Sequence, residues 1–191
     1  MTDPATERTL PRMVAAAVAR YGSRPAIEDG DLRLSFEELG AQGMRAARAF
    51  LAAGVAHGDR IAIWAPNVAE WVIAAIGAQT IGAVIVPIST RNKGAETSYV
   101  LQKSGARMLF TIAGFLDTDY VGMLAGHDLP DLEQIVLLRG DAPASFARRA
   151  QVSRSEPKAS EDHQVGERRS TGGGRGIVYC STRKVTERVL Q

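Results

Sequence analysis

The sequence is most telling in what it has little of. It holds one cysteine, Cys180, in 191 residues. No disulfide can form within the chain, which suits a reducing cytoplasm. Net charge is small, +2, so the whole chain does not advertise a nucleic-acid or membrane surface. The opening Met1–Arg8 is polar and partly acidic and lacks the basic start and apolar stretch of a signal peptide. Long apolar runs are scarce as well. Trp71 to Thr90 has no charged residue over 20 positions, about the length of a membrane span. Yet Gly77, Gln79, Thr80, Gly82 and Pro87 interrupt it, and Ala83-Val84-Ile85-Val86 is β-branched like a buried strand. A helix followed by a strand explains this run better, so no transmembrane segment is expected.

What is present suffices for one domain with a core and is short for two. The apolar fraction is 45% and the charged fraction 23%, both ordinary for a globular chain. The charge is unevenly spread. Residues 1–150 carry 15 basic against 16 acidic residues, and residues 151–191 carry 8 against 5. The basic excess therefore belongs to the tail.

Local signals order the first part. Leu10 to Tyr21 reads as a helix with Met13, Val14, Ala17 and Val18 on one side, stopped by Gly22. Pro25 to Ser35 reads as a hairpin turning at Asp29-Gly30. Ser35 and Glu38 are spaced as a capping box opening a second helix to about Ala53. Phe36, Leu39, Met44, Ala47, Phe50 and Leu51 are the candidates for its buried face.

From Gly58 the rhythm becomes strand, helix, strand. Arg60–Trp64 is an apolar strand, and Asn67 is placed to cap a helix over Val68–Thr80, with Glu70 as its reciprocal partner. Ala83–Ile88 is a second strand, and Lys93–Ser104 a helix ended by Gly105. Arg107–Ile112 is a third strand, Phe115–Leu124 a helix, and Gln134–Leu138 a fourth strand. Strands alternating with helices imply an α/β fold: a parallel sheet with right-handed crossovers, plus the small β-hairpin near the N-terminus. Residues 151–176 lose apolar periodicity and are rich in Ser, Gly and Arg, so disorder is the expectation for the C-terminal tail. Ile177-Val178-Tyr179 is its one strand-like patch.

Several segments, taken in order, carry a resemblance. These are Leu34-Ser35-Phe36-Glu37-Glu38-Leu39, Gly58-Asp59-Arg60-Ile61-Ala62-Ile63 with Pro66-Asn67, and Ile81-Gly82-Ala83-Val84-Ile85-Val86-Pro87-Ile88. Thr90-Arg91, Glu96 and Tyr99-Val100-Leu101 continue the match. The chain resembles the N-terminal part of the adenylate-forming, AMP-binding acyl-CoA synthetases over roughly residues 8–140. Phe115-Leu116 with Asp119-Tyr120 is similar to a subgroup of fatty-acyl-CoA ligases. The resemblance implies an incomplete adenylation domain over residues 1–150, followed by a polar tail over 151–191. For the intact family it implies ATP, Mg and CoA, with a fatty or other carboxylic acid activated as an acyl-adenylate. The matching residues themselves read as scaffold: a tight turn into a strand at Gly58-Asp59, a helix cap at Asn67, and a strand end at Pro87.

The family's phosphate-binding loop is Ser/Thr/Gly-rich and ends in Pro-Lys-Gly. Small residues let backbone approach phosphates, and lysine offsets their charge. Only Ser181, Thr182 and Lys184, after Ile177-Val178-Tyr179, stand about where that loop would fall, without its glycines. They are remnant candidates for cofactor binding. No catalytic residue is assigned, and no cofactor is expected for this fragment alone. The Gly172-Gly173-Gly174 run fits no phosphate motif and reads as a linker. With no interleaved aromatics, Arg175-Gly176 does not support nucleic-acid binding. His57, His127 and His163 lack metal-ligand spacing, so no metal site is expected and each reads as a solvent-facing loop residue.

Two readings follow. The first is a truncated fatty-acyl-CoA ligase, inactive as this chain alone, cytoplasmic, its tail out of frame after a frameshift. The second is a small non-catalytic α/β binding protein that keeps the ligase scaffold. Either leaves an apolar sheet face exposed and able to self-associate, because later ligase segments would cover it.

Overall fold

The computed structural model describes residues 9–141. The expected tail at 151–191, including Ile177-Val178-Tyr179, lies outside them. The order is α1 (Leu10–Tyr21), β1 (Pro25–Asp29), β2 (Leu32–Ser35), α2 (Phe36–Ala52), β3 (Arg60–Trp64), α3 (Ala69–Thr80), β4 (Val84–Pro87), α4 (Gly94–Ser104), β5 (Met108–Thr111) and β6 (Gln134–Leu137). β1 and β2 form an antiparallel hairpin, and the other four strands form a parallel sheet in the order β4-β3-β5-β6.

The chain leaves β3 toward β4 through α3 and returns past β3 to β5 through α4. Right-handed crossovers in opposite directions put α3 and α4 on opposite faces of the sheet. Side chains confirm the two layers. On one face Phe110 of β5 meets Phe50 of α2 edge to face, with ring centroids 5.4 Å apart. On the other, Trp64 of β3 meets Tyr120 at 4.6 Å. α2 packs closely on α3 because both are thin at the contact. A Cβ on Gly43 would stand 2.5 Å from Ile76 Cγ2, and one on Gly77 would stand 2.5 Å from Ala46 Cβ. α1 lies outermost on this layer, Tyr21 stacking on Phe36 at 5.1 Å.

Both faces are therefore covered. β5 is buried at every position, and β3 and β6 at every position after their first. This corrects the expectation of a bare apolar sheet face: α2 and α3 cover one side, while α4 and the turns around Tyr120 and Leu124 cover the other. Exposed apolar surface lies instead at the sheet's edge, where Val84 of β4 is 49% exposed. Pro87 blunts that edge. Val84 N donates to Asp59 O (2.8 Å) and Ile88 N to Ile63 O (2.9 Å), so every second residue of β4 addresses β3. Pro87 falls in the outward-facing set, where its missing N–H costs the sheet nothing and denies a neighbouring strand a donor.

Four further expectations are corrected. The hairpin pairs Asp29 with Leu32, so its loop is Gly30-Asp31, one residue later than expected. Gly30 takes φ +58 at the first loop position, which two-residue turns of the II′ kind reserve for glycine. Met13, Met44 and Leu51 face solvent, at 53%, 48% and 59% exposure; Gly43 with Leu39, Ala47 and Phe50 forms the buried stripe of α2. Residues 115–124 form two short 3₁₀ turns, Phe115–Asp117 and Gly122–Leu124, because Leu116 and Asp117 adopt φ +51 and +50 and break any continuous helix. Asn67 caps nothing; the start of α3 is satisfied from elsewhere in the fold. The capping box at Ser35 and Glu38 is present as expected, with Glu38 N on Ser35 Oγ at 3.1 Å and Ser35 N on Glu38 Oε2 at 2.8 Å.

Candidate functional site

In an open parallel sheet, ligands gather beyond the carboxyl ends of the strands where the strand order reverses. Here that point lies between β3 and β5. The helix that follows β3 would offer its free N–H groups and positive dipole end to an anion. The structure fills this position from within. Ala69 N, the first amide of α3, donates to Asp29 Oδ2 at 3.0 Å. Asp29 ends β1, far from α3 in sequence. Arg139, two residues past β6, places Nη2 at 2.7 Å from the same Oδ2 and 2.6 Å from Glu70 Oε2. Ala113 N, just past β5, donates to Arg139 O at 3.0 Å, fixing the arginine's backbone beside the switch point.

The electrostatics agree with the geometry. The Ala69 amide, then the Arg139 guanidinium, hold the Asp29 carboxyl below its ordinary range against a smaller opposing effect of burial. Glu70 and Asp29 in turn raise Arg139. At this carboxyl edge one guanidinium is hydrogen-bonded between two carboxylates, and one of these also caps α3.

The opposite edge carries a second clamp of the same design. Arg107, just before β5, contacts Asp59, just before β3, and places Nη2 2.8 Å from Glu133 Oε2, just before β6. Burial raises the Asp59 carboxyl, and the Ala56 amide with Arg107 more than reverses this, leaving it lowered. Arg60 Nε donates to Ser104 O at 2.8 Å and ties the end of α4 to this edge. Each edge of the sheet is thus held by one arginine between two carboxylates.

Among the described residues no group of three or more His, Cys, Asp or Glu could hold a metal ion. No helix there is long and apolar enough to cross a membrane. The recess between Leu101, Gln102, Leu129 and Leu132 is a shallow dent, not a ligand cavity. His57 is exposed and His127 half-buried. Ser181, Thr182, Lys184 and His163 lie outside the described residues. Sequence reasoning missed Asp29 and Arg139 as partners of α3. No local signal links them, since the pair joins the hairpin to the far edge of the sheet.

A parallel α/β sheet with an amino-terminal hairpin and helices on both faces is the architecture of the N-terminal part of acyl-CoA ligase adenylation domains. The anthranilate CoA ligase AuaEII, solved in complex with anthranoyl-AMP, is similar to it with a TM-score of 0.63 and 26% identity, over 70% of this chain and 25% of that one. The profile of the AMP-binding enzyme family matches residues 14–171, and the chain belongs to that family. Among curated relatives, it is 34% identical over 146 residues to the 7a-methyl-1,5-dioxo-octahydro-indenyl-propanoyl:CoA ligase of Rhodococcus jostii (strain RHA1). That match covers 74% of this chain and 28% of the relative. It is 27% identical over 161 residues to the mitochondrial medium-chain acyl-CoA ligase ACSF2 of Danio rerio, covering 75% of this chain and 26% of that protein. The chain thus spans about a quarter of the length of these relatives.

Proposed function

We propose that this chain provides the amino-terminal scaffold of an acid–CoA ligase and does not by itself activate an acid. The observation that carries this reading is Asp29 on the first amide of α3. The anion site nearest the sheet's switch point is used for structure, so nucleotide phosphates would be held by other parts of such an enzyme. In that intact enzyme ATP with Mg would form an acyl-adenylate from a fatty or other carboxylic acid, and CoA would displace AMP. The residues described here would contribute rigidity to it: two arginine clamps and a covered sheet. Ser181, Thr182 and Lys184 remain remnant candidates for the phosphate loop. A cytoplasmic setting, suggested by the single cysteine, belongs to the same proposal. ATP–pyrophosphate exchange with fatty acids tests it. The 191-residue chain is expected to give no exchange above background, and clear exchange would overturn the reading.

A second reading is a self-contained, non-catalytic α/β binding protein. It is favoured by the burial of β3 and β5 from both sides. Cooperative melting of a monomeric chain would support it, and an aggregating or molten product would count against it.

A further inference from the structure

We draw no further inference here: the strongest candidate, the outer edge of β6, which pairs only with β5 among the described residues, carries nothing because nothing in the structure shows what covers it.

Discussion

Arg139 and Asp29 are 110 residues apart in the chain and 2.7 Å apart in the fold. Through Asp29 the arginine reaches the first amide of α3, and through Glu70 the first turn of the same helix. One guanidinium thus joins the hairpin, the helix after the first parallel strand and the exit of the last. Arg107 does the same work at the other edge with Asp59 and Glu133. These are ion pairs at the margins of a sheet whose middle is apolar, where partial burial and several hydrogen bonds per charge make them worth more than isolated surface pairs.

Asp29 is accordingly a cap contributed from a distance. Asp29→Ala should cost about 1–2 kcal/mol, as loss of a helix cap does, with the freed arginine adding to it. The pH dependence follows from the lowered carboxyl. Its folded value lies below the unfolded one of about 4, so the unfolded chain binds the proton first on acidification. The contribution is full above about pH 4 and is lost as pH falls through the folded value. Denaturant melts of wild type and Asp29→Ala should therefore differ by a constant amount from neutrality down to about pH 5. They should converge in more acidic solution. A gap that persists there would assign the effect to packing.

The α2–α3 contact depends on glycine for space. A Cβ at Gly77 would lie 2.5 Å from Ala46 Cβ and 2.9 Å from Ala47 N. Backbone cannot yield as a flexible side chain does. Gly77→Val should destabilise by about 1–3 kcal/mol or more through overpacking, despite the better helix propensity of valine. A fall in thermal midpoint with unchanged net charge checks this.

These two sites show where the sequence could and could not be read. β3 at Arg60–Trp64 was legible because a strand buried on both faces is a continuous apolar run closed by turn residues. The box at Ser35 and Glu38 was legible because both halves lie within four residues. Asn67 misled because cap chemistry is local in sequence, whereas the group on Ala69 N comes from the hairpin. Gly77 read as an interruption of an apolar run; only the facing helix gives it a packing role. Met44 and Leu51 have the spacing of core residues, yet they fall beside the buried stripe of Leu39, Gly43, Ala47 and Phe50 and are exposed. For the candidate site, residue types could name a family and not the pairing at its carboxyl edge.

Thr97 on α4 is fully buried, and its hydroxyl has no hydrogen-bond partner among the described residues. A buried hydroxyl left unpaired costs about 1–3 kcal/mol. Thr97→Val keeps the shape and removes the unmet group. The variant is expected to be as stable as wild type or more so, with a thermal midpoint that does not fall. A clear loss would mean that the hydroxyl is bonded in solution, most simply to a buried water.

Pro87 guards the open side of β4. Val84 and Ile88 direct their amides to β3, so the residues between them face outward, and at Pro87 that outward position has no N–H to give. Pro87→Val would supply the donor and a β-branched side chain at the exposed end of the strand. The strand would then present two outward amides in one register, that of Ile85 and the new one two residues later, a template for pairing with a second copy. The substitution removes no hydrogen bond from the sheet, so the monomer's fold should survive. Sedimentation velocity at increasing concentration should show the variant associating where the wild type does not. Adding a lysine at the exposed position, as Val84→Lys in the same chain, should reverse this by placing like charges together at the edge. If the Pro87→Val chain stays as monomeric as wild type, the edge is protected by something other than the missing amide.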